Sequence, residues 1–202
     1  MKRNSKQFFS TQRLVVMAML TAVQIILARY LAIQVNEVLR ISFETVPLAL
    51  AGMWLGPLGG ALVALVSDIL GTIIYGYGVW FPPIALGPLV FTLLCAWGTR
   101  QVFPGCLQDK KGGWKIVAVL VTAGIVNALL IGPLTTTWYQ MLFTSKAGTF
   151  PVLLLANLAG RITTKPFVIA ACSALAWCIH RAMYRPVVVQ ILGRRRTGAP
   201  TI

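Results

Sequence analysis

The sequence predicts an all-α membrane protein: a single bundle of six transmembrane helices with its N- and C-termini in the cytoplasm. Three observations carry that expectation. Hydrophobic residues make up 57% of the 202 residues and charged ones 11%, with a mean hydropathy of +0.79; a soluble domain needs about 25% charged residues to face water. The apolar residues gather into six segments, roughly 14–34, 41–56, 58–75, 81–103, 114–142 and 152–182, against the ~20 residues that a membrane-crossing helix requires. Thirteen of the eighteen Lys and Arg fall between these segments, beyond them or at their ends. They form three clusters: Lys2, Arg3, Lys6 and Arg13; Arg100, Lys110, Lys111 and Lys115; Arg181, Arg185, Arg194, Arg195 and Arg196. Cations so placed mark cytoplasmic loops and ends.

The chain accordingly divides into a basic cytoplasmic N-terminus (1–13), a membrane domain (14–182) and a basic cytoplasmic tail (183–202). The first segment follows basic residues but meets no small-x-small cleavage site before Arg29, so it reads as a span that is kept. The second is short and ends at the turn "GPLGG" (56–60), from which the third runs to Tyr75. "YGYGVWFPP" (75–83) is a loop by its Gly and Pro content, with aromatics suited to a membrane interface. The fifth and sixth segments are long and hold Pro133 and Pro166, which implies kinks or helix continuing out of the bilayer. The outer loops 35–40, 76–80 and 143–150 carry only Arg40 and Lys146 as cations. Even parity with both ends inside fits six spans, and no internal repeat points to an inverted-repeat transporter.

Composition and spacing exclude several functions. The net charge of +14 is segregated into loops and lacks a basic face interleaved with aromatics, so no nucleic-acid partner is expected. Cys95, Cys106, Cys172 and Cys178 form no CxxC pair and His180 is the single histidine, so neither a metal site nor a disulfide framework is expected. There is no Walker A loop and no nucleophile beside a base; the chain is not read as an enzyme, and any ATP would be used by a partner.

Ionisable residues inside spans are rare and mark function by default. Here they are Arg29, Glu44, Asp68, Arg161 and Lys165. At the helical rise per residue, Arg29, Asp68 and Arg161 lie roughly 8, 10 and 13 Å below the outer ends of spans one, three and six, with Lys165 a turn deeper. Two readings stand: Asp68 pairs with Arg161 as an interhelical ion pair, or these groups line a pocket open to the outside whose surplus cations meet an anionic solute. Trp80 and Trp138 suit an interface belt, yet Trp138 follows "GPLTTT" (132–137), while Asn127 lies deeper in span five and Asn157 one turn above Arg161. Aromatics, amides, hydroxyls and cations together match a planar, heteroaromatic, carboxylated ligand; interhelical hydrogen bonds would account equally for both asparagines.

Four stretches carry a resemblance: "RISFETVPLALAGMWLGPLGGALVALVSDILGTIIYG" (40–76), "WFPPIALGPLVFTLL" (80–94), "NALLIGPLTTTWYQMLF" (127–143) and "LANLAGRITTKPF" (155–167). Across spans two to six the chain resembles the substrate-binding S components of energy-coupling factor (ECF) vitamin transporters, nearest their folate-type branch. The resemblance implies a protein of the bacterial plasma membrane that captures one vitamin, here folate, from outside. It would deliver the vitamin through a membrane T component with two cytoplasmic ATPases. It also implies that a small-residue stripe on the first helix, matched by Ala18 and Ala22, faces the T component, and that loop 35–42 acts as a lid. The expected binding residues are then Arg29, Asp68, Trp80, Asn127, Trp138, Asn157, Arg161 and Lys165. Pantothenate or another heterocycle in the same fold, and a structural membrane subunit that binds nothing, are the alternatives.

Overall fold

The structure, a computed structural model, describes residues 11–30, 33–34, 40–75, 82–104, 106–107, 113–143 and 149–183. The first ten residues, the tail after 183 and Trp80 lie outside them, and of Arg29 the backbone alone is described. Among the described residues there are six α-helices: α1 (Thr11–Arg29), α2 (Thr45–Tyr75), α3 (Pro82–Trp97), α4 (Gly113–Val126), α5 (Gly132–Phe143) and α6 (Phe150–Met183). Five stretches of the described residues are long and apolar enough to cross a membrane, the stretch Gly113–Phe143 counting as one. Large apolar side chains line the outside, among them Met19, Ile73 and Phe167 at 64%, 71% and 79% exposure, as lipid-facing surface requires.

The expected second and third spans form the single element α2, broken at Gly56 (φ 85°, ψ −172°). That backbone region is open essentially to glycine alone, and Pro57 follows where a new helix begins, with its ring already set for the first turn. The break is a reversal. A Cβ on Gly60 would lie 3.0 Å from the Cα of Gly52, residues that a straight helix would hold about 12 Å apart. The limbs 45–55 and 57–75 therefore run antiparallel, and the bundle has six apolar limbs as the hydropathy predicts.

Limb 45–55 is only about 16 Å long, half the hydrocarbon thickness. The chain covers the rest of the depth before the helix starts. β1 (Ile33–Gln34) pairs antiparallel with β2 (Arg40–Ile41), the one departure from an all-helical fold among the described residues. Just beyond it, the Ser42 carbonyl reaches the Cys172 thiol at 3.9 Å, two-thirds of the way along α6. The segment 42–44 thus descends into the bundle.

Small residues pack the centre. A Cβ on Gly52 would sit 2.6 Å from the Thr92 carbonyl, and one on Gly60 2.7 Å from the Thr92 methyl, so both limbs of α2 touch α3 almost backbone to backbone. Leu48, Met53, Val63, Phe91 and Cys95 fill the core around this seam. At the far end of limb 45–55 the Trp54 indole N–H donates to His180 Nδ1 at 2.9 Å, which gives the lone histidine an interhelical role.

The two expected kinks differ. Pro133 lacks an N–H, and the turn before it opens into a π-helix, 127–131, in which the Gly132 N–H bonds the Asn127 carbonyl five residues back. α6 runs through Pro166 as one helix.

Candidate functional site

A cavity of about 300 Å³ lies between limb 45–55, α3, α4 and α6. Arg161, Lys165, Asn127 and Glu44 line it, with the hydroxyls of Ser42, Thr45 and Ser173 and apolar walls that include Ile84 and Phe91. From Arg161 to Ser173 it extends roughly 18 Å along α6. Its polarity is graded. The two cations stand toward the start of α6, whereas Ser42, Glu44 and Ser173 occupy the opposite end, where segment 42–44 has descended.

Arg161 is positioned by α5. Its Nη2 donates to Thr136 Oγ1 at 2.8 Å, and Thr136 in turn donates to the Gly132 carbonyl at 2.7 Å. The guanidinium lies against Gly132, where any side chain would overlap it. "GPLTTT" and "GRITTK" are thus two halves of one arrangement: glycine makes room for the guanidinium and threonine fixes it. Among the described residues no carboxylate pairs with Arg161 and Thr136 is its sole hydrogen-bond partner, so the Asp68–Arg161 ion pair of the alternative reading is not formed. A guanidinium carries five N–H donors, and most of these are left for a ligand.

Asn127 sits at the start of the π-helix, a distortion often associated with functional sites. Its Oδ1 is buried with no hydrogen-bond partner. An unpaired buried acceptor costs about 1–3 kcal/mol, so this position calls for a donor.

The other expected site residues fall elsewhere. Asn157 is buried, and its Nδ2 donates to Thr137 Oγ1 at 3.0 Å and to Gln140 Oε1 at 2.9 Å. It joins α6 to α5 one turn above Arg161 and does not line the cavity. Trp138 is 55% exposed, on the outer surface of α5. Asp68, half-buried on limb 57–75, is not among the lining residues. Trp80 and the Arg29 side chain lie outside the described residues. Ala18 and Ala22 are both exposed on α1. Ser42, Thr45 and Ser173 line the cavity without having been expected there, and Glu44, noted as an ionisable group within a span, joins them. The polar run "SFET" at the head of the short second segment was the available signal.

An apolar helical bundle around a cavity with a cationic and an acceptor-lined end defines a multi-pass membrane protein that can hold a small polar solute. The chain belongs to the family of ECF transporter substrate-specific components, whose profile matches residues 12–192. A folate transporter FolT of Clostridium novyi (strain NT) is 34% identical over 134 residues, 66% of this chain and 71% of that one. A FolT of Leuconostoc mesenteroides subsp. mesenteroides is 29% identical over 133 residues, 66% of each chain. The fold is similar to the crystal structure of FolT bound with folic acid, with a TM-score of 0.64 at 19% identity, covering 83% of this chain and 93% of that one.

Proposed function

We propose that this chain captures folate from outside the bacterial plasma membrane and delivers it inward through a complex with a T component and two ATPases, ATP being hydrolysed by those partners alone. The graded polarity of the cavity is the observation that carries the reading. Folate is elongated: a pterin with an N–H and an amino group on one edge, an aromatic linker, and a glutamate with two carboxylates. The pterin donors suit Glu44 and the hydroxyls of Ser42, Thr45 and Ser173, and the unpaired Asn127 Oδ1 accepts a further N–H. The linker lies between Ile84 and Phe91. The carboxylates meet Arg161 and Lys165, where charge-assisted bonds are about twice as strong as neutral ones. The names of the Clostridium and Leuconostoc relatives support the same ligand.

With both termini cytoplasmic, the cationic end of the cavity faces outward and the pterin enters first. Exposed Ala18 and Ala22 on α1 leave a small-residue face against which a T-component helix can pack closely. Isothermal titration of the purified chain with folate and with 5-formyltetrahydrofolate tests the assignment. Saturable binding at micromolar concentration or tighter is expected, and no heat with either compound overturns it.

A further inference from the structure

Two polar groups meet where α4 gives way to α5. Arg161 lies against Gly132 and is bonded to Thr136, so its guanidinium has a fixed seat. Asn127 stands one turn before that seat, at the start of the π-helix, and its carbonyl accepts from the Gly132 N–H. A Cβ on Gly132, which would overlap the guanidinium, would lie 3.1 Å from that same carbonyl oxygen. Both side chains line the interior cavity. Asn127 Oδ1 is buried and has no hydrogen-bond partner, although a guanidinium with donors to spare is its neighbour. Toward α3, Oδ1 faces Gly87, where a Cβ would lie 3.3 Å away. Glycine there leaves the amide room to turn about its last bond, a torsion with broad preferences.

We propose that Arg161 and Asn127 together form a subsite for an N-acylated amino acid: the guanidinium takes the carboxylate, and Asn127 Oδ1 accepts the N–H of the adjoining amide. The inference rests on the folate reading, because folate ends in such a group, a glutamate acylated by p-aminobenzoate. In an N-acylated amino acid one carbon bears both the amide nitrogen and the α-carboxylate. With a hydrogen bond of about 2.9 Å at each end, the two can bridge the roughly 5 Å of one helical turn. The other N–H groups of folate are worse placed. The pterin donors belong at the opposite end of the cavity, with Glu44 and Ser42, and a whole aryl ring separates the bridging amine from the acyl carbon. A buried acceptor discriminates against a ligand without the matching N–H, because it is then left unpaired. Asn127 is thus a specificity-determining residue: it selects for the amide, while Arg161 selects for the charge.

Isothermal titration of the purified chain with folate and with its ester analogue, in which oxygen replaces the amide N–H, tests the subsite. The parent should bind folate about tenfold more tightly than the ester. In Asn127→Leu, folate should weaken about tenfold and the two compounds should bind alike, since leucine accepts from neither. Equal binding of folate and ester by the parent overturns this inference alone and leaves folate as the ligand, whether or not the variant folds. A preference for folate that persists undiminished in a folded Asn127→Leu protein also overturns it. No binding of either compound by the parent overturns the folate reading and this inference with it.

Discussion

The seam between α2 and α3 and the seam between α5 and α6 solve the same problem in opposite ways. In the first, Gly52 and Gly60 bring backbones together against Thr92. In the second, a π-turn, a guanidinium and an amide network hold the helices, and a cavity lies beside them. Lipid tails are as apolar as the helix faces they would cover, so hydrophobic burial favours neither seam, and close packing alone can hold helices together. Polarity that is dispensable for holding the bundle together is free to meet a ligand. Two results test that division most directly.

Gly52→Leu should have the largest effect. Its side chain would start 2.6 Å from a backbone carbonyl, and overpacking against an immovable neighbour costs about 3 kcal/mol or more. Size-exclusion chromatography should show loss of the monodisperse species; a well-folded Gly52→Leu protein would erase the contrast. Arg161→Ala should do the reverse, weakening folate binding about a hundredfold by titration. Its melting temperature in detergent should stay within a few degrees, because no carboxylate is stranded. A large fall in melting temperature would return Arg161 to a structural role.

Gly56→Ala forces a Cβ into a positive-φ conformation. It should destabilise the protein by about 1–3 kcal/mol, read as a lower denaturant midpoint, with ligand affinity preserved in whatever folds. The smallest effect sharpens the comparison most. Asn127→Leu removes an unpaired buried acceptor and should raise the stability of the empty protein by about 1 kcal/mol while weakening folate about tenfold. A residue that harms stability and helps binding cannot be structural glue; a destabilised Asn127→Leu protein would count against its role.

The six apolar limbs were legible because hydropathy along the chain measures what lipid measures. The reversal at Gly56 was legible too, since "GPLGG" interrupts a run that is otherwise too long. Arg161, Lys165 and Asn127 stood out for a related reason: a polar residue inside an apolar segment is conspicuous whatever its neighbours. Its partners are not. Asn157 bonds Thr137 and Gln140, 20 and 17 positions earlier, and sequence spacing did not decide between that pairing and a ligand. Glu44 and Asp68 were both visible as buried acids, but which of them lines the cavity depends on how far the chain descends before α2 begins. Composition holds no record of that path.

The descent also ties two distant surfaces together. Ser42 and Glu44 line the cavity directly after β2, which is hydrogen-bonded to β1, itself four residues past the end of α1. On the proposed reading, a solute held at the cavity's deep end bears on the segment that follows β2, a short stretch of chain from α1 with its exposed Ala18 and Ala22. Binding energies at two sites joined through one element are reciprocal. Should a T component dock on the outer face of α1 as proposed, any factor by which it changes the grip on the solute will equal the factor by which the solute changes the docking.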